Sequence, residues 1–198
     1  MPFSIAGKNV MLDALTALAT HCALLSATAI TGVTGTAATN LLTKTSHGLS
    51  NGNLIMVSLL GAGEGTGLFN DVPYFVVGVS GADFSLAETS GGAAIDFTTA
   101  IVDCTVTQYV EISGGAPAYT REAVAYAAAA VGLADDSTNG AVFDVPAGAV
   151  VDAVGTYSAA TAGTLYGIDP VTQETFGGQG TYTLVDQKLD LNGDRIAA

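Results

Sequence analysis

The chain has 198 residues, 49% of them apolar and only 12% charged, with 18 acidic against 5 basic residues and a formal charge of −13. That balance excludes intrinsic disorder, which needs low hydrophobicity together with high charge. It also excludes nucleic-acid binding: phosphate recognition draws on clustered cations, and Lys8, Lys44, Arg121, Lys188 and Arg195 are scattered along an otherwise acidic chain. A chain of this size buries roughly 70% of its unfolded surface, so no metal or disulfide staple is required. So few charges suggest that much of the surface lies against neighbouring subunits, although scattered Ala, Thr and Gly could also produce such a surface.

The first 25 residues hold an apolar stretch, but Lys8 is the only early cation and Asp13 and His21 interrupt the run, which argues against a signal peptide. Nowhere are there the ~18 consecutive apolar residues of a membrane-spanning helix. Val10, Met11, Ala14, Leu15 and Leu18 have the spacing of a short amphipathic helix, with Asn9 as its N-cap and Asp13 near its positive end. A first strand is expected over residues 21–29. Residues 31–39, rich in Gly, Thr and Ala, read as the exit into an insert.

Residues 41–99 read as a small β module of short strands and glycine turns. His47-Gly48 and Asn51-Gly52 are turn signals. Strands are expected over 54–60, 74–79, 84–87 and 94–98, with a glycine-rich hairpin loop over 61–67. The chain then returns over 101–112. Beyond it, residues 121–133 are alanine-rich and could form a helix by propensity, yet Glu122, Val124 and Tyr126 fit one face of a strand, and strand is the expectation. Pro146-Ala147-Gly148 should join strands 141–145 and 149–157 by a tight turn, and Ala162-Gly163 should turn 151–159 back into 165–168. A last strand is expected over 181–191. Turns at roughly 8–12-residue spacing point to an antiparallel sandwich or jelly roll.

Candidate chemistry is thin. His21, His47, Cys22 and Cys104 could in principle hold zinc, but adjacent residues on a strand point to opposite faces, and zinc ligand pairs have two to four residues between them. A Cys22–Cys104 disulfide would link the two segments flanking the insert. The terminal run Asp190, Asn192, Gly193, Asp194 hints at calcium but lacks the closing glutamate, so a turn is expected. The 61–67 loop lacks GK[ST] and leads to a strand, so it is not a phosphate loop. No G-x-S-x-G elbow is present. A glycosidase would need two carboxylates beside a sugar cleft; Asp135, Asp136 and Glu122 read as a solvated turn and a strand face. Without tryptophan, sugar stacking would fall to Tyr119, Tyr157 or Tyr166, which suit a core or an interface. No catalytic, cofactor-binding or metal-binding residue is expected.

The insert's phrases TKTSHGLSNG, YFVVGVSGADFSL and GGAAIDFTT, in that order, resemble the small β domains inserted in tail, fibre and head proteins of tailed bacteriophages. The outer phrases NVMLDAL, EISGGAPAYTREAV, VFDVPAGAVVDAVGTYSAATAGT and FGGQGTYTLVD are similar to a family of small phage structural proteins labelled tail fibre or minor tail proteins. The resemblance implies a mainly β chain: an antiparallel, jelly-roll-like β-sandwich over residues 1–30 plus 109–198, with a short N-terminal helix, and an inserted small β domain over 31–108. It implies a non-enzymatic virion component; the family label points to the tail, but a short chain with no long coiled-coil or repeat shaft and no recognisable receptor-binding tip favours a head decoration or minor capsid protein acting through subunit contacts. The alternative is a tail-tip, baseplate or fibre component contacting the host surface. The expected partners are the major capsid protein or tail subunits and further copies in a homo-oligomer, with no nucleic acid and no membrane. Its place is the virion, assembled in the bacterial cytoplasm, where reducing conditions favour two buried free thiols.

Overall fold

The computed structural model describes residues 4–58, 60–61, 63–135, 140–185 and 187–190. The chain is mainly β, with antiparallel sheets, a sandwich-like character and one short N-terminal helix. In chain order the elements are α1 (Ile5–Thr16), β1 (His21–Thr36), β2 (Leu41–Thr43), β3 (Leu54–Ser58), β4 (Pro73–Ser80), β5 (Asp83–Ala87) and β6 (Ile101–Glu111). There follow β7 (Glu122–Ala123), β8 (Leu133–Asp135), β9 (Ala141–Val145), β10 (Val150–Tyr157), β11 (Leu165–Thr175), β12 (Gly180–Leu184) and β13 (Lys188–Asp190). Two compact units emerge, Met1–Leu25 with Glu111–Ala198, and Ser26–Val110. The sequence reading put the crossings at 30/31 and 108/109. Because β1 and β6 run unbroken past the dividing residues, no change in composition marks them.

In the outer unit, α1 starts earlier than the spacing suggests. Ser4, not Asn9, is its N-cap, accepting from the Gly7 N–H at 3.2 Å. Asn9 and Asp13 lie inside the helix and serve a loop instead: Asn9 Oδ1 accepts the Gly132 N–H (2.8 Å) and Asp13 Oδ1 the Ala129 N–H (2.7 Å). The start of β1 pairs with β10, His21 opposite Tyr157 through Leu25 opposite Ala153, and β11 flanks β10 as a hairpin. A separate ribbon pairs β9 with β12, and another pairs β8 with β13. Cys22, Leu24, Val151 and Val154 face Phe143, Val145 and Leu184 across one core.

Two expectations change here and one holds. Residues 121–133 are neither helix nor a full strand: only Glu122–Ala123 pair with β1, although Val124 is buried between exposed Ala123 and Ala125. Pro146-Ala147-Gly148 does turn the chain, but β9 and β10 are not partners. The Gly148 N–H donates to Phe176 O at 2.6 Å, so the turn carries the chain from one sheet to the other. The last expected strand divides into β12 and β13, with Gln187 buried between them. Residues 192–194, which carry the calcium-like pattern, and Asp136 lie outside the described residues.

In the inner unit, pairings run β1-β2-β5-β4-β3-β6, and β6 also pairs with β1, so the ring closes on itself. Closure removes the exposed edges that would invite pairing with another chain. Its core holds Val33, Leu42, Ile55, Val57, Phe84 and Val106. Residues 31–36, expected as a linker, continue β1. Val33 points inward, and Gly35 leaves room for Ile101, whose Cδ1 would stand 3.0 Å from a Cβ there. Residues 94–98, expected as a strand, form no ladder. Their N–H groups go to three unrelated acceptors: Ile95 to Leu86 O, Phe97 to Asn40 Oδ1 and Thr98 to Thr66 O. The two-residue turn at Gly81-Ala82 joins β4 to β5, with Gly81 at φ +63° as a type II′ turn needs.

Candidate functional site

The deepest chemistry in the outer unit surrounds Arg121. Its Nε donates to Glu111 Oε1 at 2.9 Å and its Nη2 to Glu111 Oε2 at 2.7 Å, a bidentate pair. Nη1 donates to Ala159 O (3.0 Å) and Ala162 O (2.6 Å), the loop between β10 and β11. The guanidinium carbon stands 3.6 Å over the ring centroid of Tyr157, a cation–π contact. Only 9% of the Arg121 side chain is exposed, against 31% for Glu111. The hydrogen bonds to Glu111 outweigh burial and hold the guanidinium above its ordinary pKa, whereas burial pushes the Tyr157 hydroxyl up.

Gly155 places that ring. A Cβ at Gly155 would lie 2.7 Å from Tyr157 Cε2, so the ring occupies space that only glycine leaves. Tyr119 adds a second aromatic wall: it stacks on Phe143 with centroids 6.1 Å apart, and its hydroxyl accepts the Leu24 N–H at 2.7 Å. Burial raises its pKa strongly. Between residues 111–113, 119–121 and 160–162 lies an open cleft of about 440 Å³, with Ser113, Thr120 and Thr161 among its lining.

The arrangement is a clamp. Four of the five guanidinium N–H donors are spent on Glu111 and two carbonyls, and the Glu111 carboxylate is spent on Arg121. The outcome is a loop fastened to a sheet.

Polar side chains of the inner unit also hold backbone in place, although His47 Nε2 is buried without a hydrogen-bond partner among the described residues. In the segment 43–53, His47 Nδ1 accepts the Leu49 N–H (2.9 Å), Asn53 Oδ1 the Ser50 N–H (2.7 Å) and Asn51 Oδ1 the Val79 N–H (2.9 Å). The His47 ring packs against Phe84 with centroids 5.1 Å apart. The most recognisable phrase of the chain is a folding device.

The other residues weighed from sequence are not brought together. His21 Nδ1 sits 2.9 Å from its neighbour Thr20 Oγ1, and Cys22 is buried with its thiol donating to Gln187 Oε1 at 3.5 Å. Cys104 is buried in the inner unit, and neither cysteine is disulfide-bonded. Burial, then Asp103 and Glu64, push the Cys104 thiol up to about 11. Among the described residues no group of three His, Cys, Asp or Glu side chains could hold a metal ion. Glu122 accepts from Thr120 Oγ1 at 3.3 Å, and Asp135 stands 3.9 Å from Lys188 Nζ at the surface. Among the described residues no helix is long and apolar enough to cross a membrane.

The Arg121–Glu111 pair was missed from sequence, where Arg121 is merely one scattered cation. Its neighbours offered a faint signal: an arginine two residues after a tyrosine, in a chain with almost no other cations. No protein-family model, curated protein or solved structure matches the chain at a significant level.

Proposed function

We propose that this chain is a non-enzymatic structural subunit of a tailed-bacteriophage virion, a head decoration or minor capsid protein that acts through contacts between subunits. One observation carries the reading. Polar groups that a catalytic or ligand site would use, the Arg121–Glu111 pair in one unit and His47 Nδ1, Asn51 and Asn53 in the other, hold loops in shape. The chain's ordered phage-like phrases support the virion assignment, and its acidity suits a component that must not adhere to packaged DNA.

Gold-labelled antibody against the chain, applied to intact particles, tests the assignment. Label spread over the head supports decoration. Label confined to the tail tip or fibres moves the protein to the host-contacting alternative, and unlabelled particles in a lysate that contains the chain contradict a virion role.

A further inference from the structure

We propose that His47 makes residues 43–53 an acid-released latch: the segment is closed only while the ring is neutral, and a proton opens it. The residue is 8% exposed. Its Nδ1 accepts the Leu49 N–H at 2.9 Å, so the lone pair lies there and the ring proton sits on Nε2. Nε2 is buried with no hydrogen-bond partner among the described residues, and Phe84, its ring centroid 5.1 Å away, offers no acceptor. An imidazolium donates from both nitrogens. Its Nδ1 proton would point into the Leu49 N–H, and its charge would be buried without a counter-ion. The charged residues of the inner unit are Lys44 on the segment itself, Asp83 in β5, Glu88 just after it, Asp71 before β4, and Glu64, Asp96 and Asp103. Among the described residues none of them pairs with the ring, and Asp83 Oδ1 accepts the Thr43 hydroxyl at 2.6 Å. The closed segment has no place for a charged ring.

Residues 45–49 depend on that one bond. On one side the Lys44 N–H goes to Ala82 O (2.9 Å), and on the other the Ser50 N–H goes to Asn53 Oδ1 (2.7 Å). Between those two, residues 45–49 make only the Leu49–His47 hydrogen bond among the described residues. Ser46 is held at φ +58°. A non-glycine residue keeps that left-handed conformation only where its surroundings impose it. Burial of His47 and Leu49 supplies the restraint. Charging the ring removes the bond and expels the ring together, while the bonds to Ala82 and Asn53 stay in place. Opening is therefore local. In the open segment the ring titrates as a free histidine does, near pH 6.5. Above that value both forms hold a neutral ring, and closure keeps its full advantage. Below it the open form gains a proton that the closed form excludes, so closure weakens as pH falls.

Amide hydrogen exchange of the full chain, followed by NMR, tests this. For the uptake of one proton, the protection factor at Leu49 should fall roughly 30-fold between about pH 7.5 and about pH 5. Protection at Leu24, whose N–H donates to the Tyr119 hydroxyl in the outer unit, should hold. His47→Asn puts an oxygen in the place of Nδ1, where it accepts the Leu49 N–H as an Asx-turn does and cannot titrate, so Leu49 protection in that variant should not change with pH. Because the variant also loses the ring's packing on Phe84, the wild-type ring supplies a second reading: its nitrogen chemical shifts at about pH 8 should place the proton on Nε2. Leu49 protection that ignores pH, an equal loss in His47→Asn, a parallel loss at Leu24, or a proton on Nδ1 in the wild type would each overturn the proposal.

Discussion

Removing Arg121 should unfasten the outer unit. Arg121→Leu keeps much of the packing volume but takes away two charge-assisted bonds to Glu111, two bonds to the Ala159 and Ala162 carbonyls and the contact with Tyr157. Breaking a buried ion pair from one side costs about 3–5 kcal/mol. Glu111 keeps 31% of its side chain exposed, and water can partly solvate the stranded carboxylate, so the low end applies, about 3 kcal/mol. For a chain of this length that is a loss of roughly 6–12 °C in Tm. Arg121→Lys should recover little, because a lysine cannot span the carboxylate and both carbonyls with a planar fork. Thermal unfolding followed by circular dichroism reads the shift, and a double-mutant cycle with Glu111→Gln should give a coupling of more than about 1 kcal/mol. If Arg121→Lys melts with the wild type, or the cycle shows no coupling, the clamp does not hold the unit.

Gly67 sits at φ +116°, and a Cβ there would lie 2.6 Å from Asp96 O, so Gly67→Ala should cost more than about 1 kcal/mol in denaturant unfolding, while Gly167→Ala, with open space around it, should cost less. Phe143→Ala removes a fully buried ring stacked on Tyr119 and should cost about 3–5 kcal/mol by the same measurement. The Cys104 thiol, raised from 9.0 to about 11, favours the folded state below pH 9, and that contribution is lost as pH rises through 11. Tm should therefore fall across that range, and less steeply in Cys104→Ala. Native protein at pH 8 should resist a thiol reagent until denaturant is added, since the thiolate is scarce and the sulfur buried.

Much of the fold was legible because its signals are local. Glycine turns and β-branched runs located β3, β4, β5, β9 and β10 to within a residue or two. What failed was long-range. Residues 94–98 look like a strand, but their N–H groups are claimed by Asn40, Thr66 and Leu86, partners that no local pattern names. Asn9 resembles an N-cap because the residue type suits one, yet Gly132 competes for its oxygen across more than 120 positions. The Pro146–Gly148 turn was visible, but which sheet receives each arm depends on β12 and β1. The Arg121 clamp was hidden for the same reason: its partners are ten and about forty residues away.

Quantitative mass spectrometry of washed phage heads, stripped of tails, with isotope-labelled peptides of this chain as standards, bears most directly on the structural-subunit claim. Tens to hundreds of copies per head, in fixed ratio to the major shell protein, is the expected result. No copies in particles from a lysate rich in the soluble chain would contradict it.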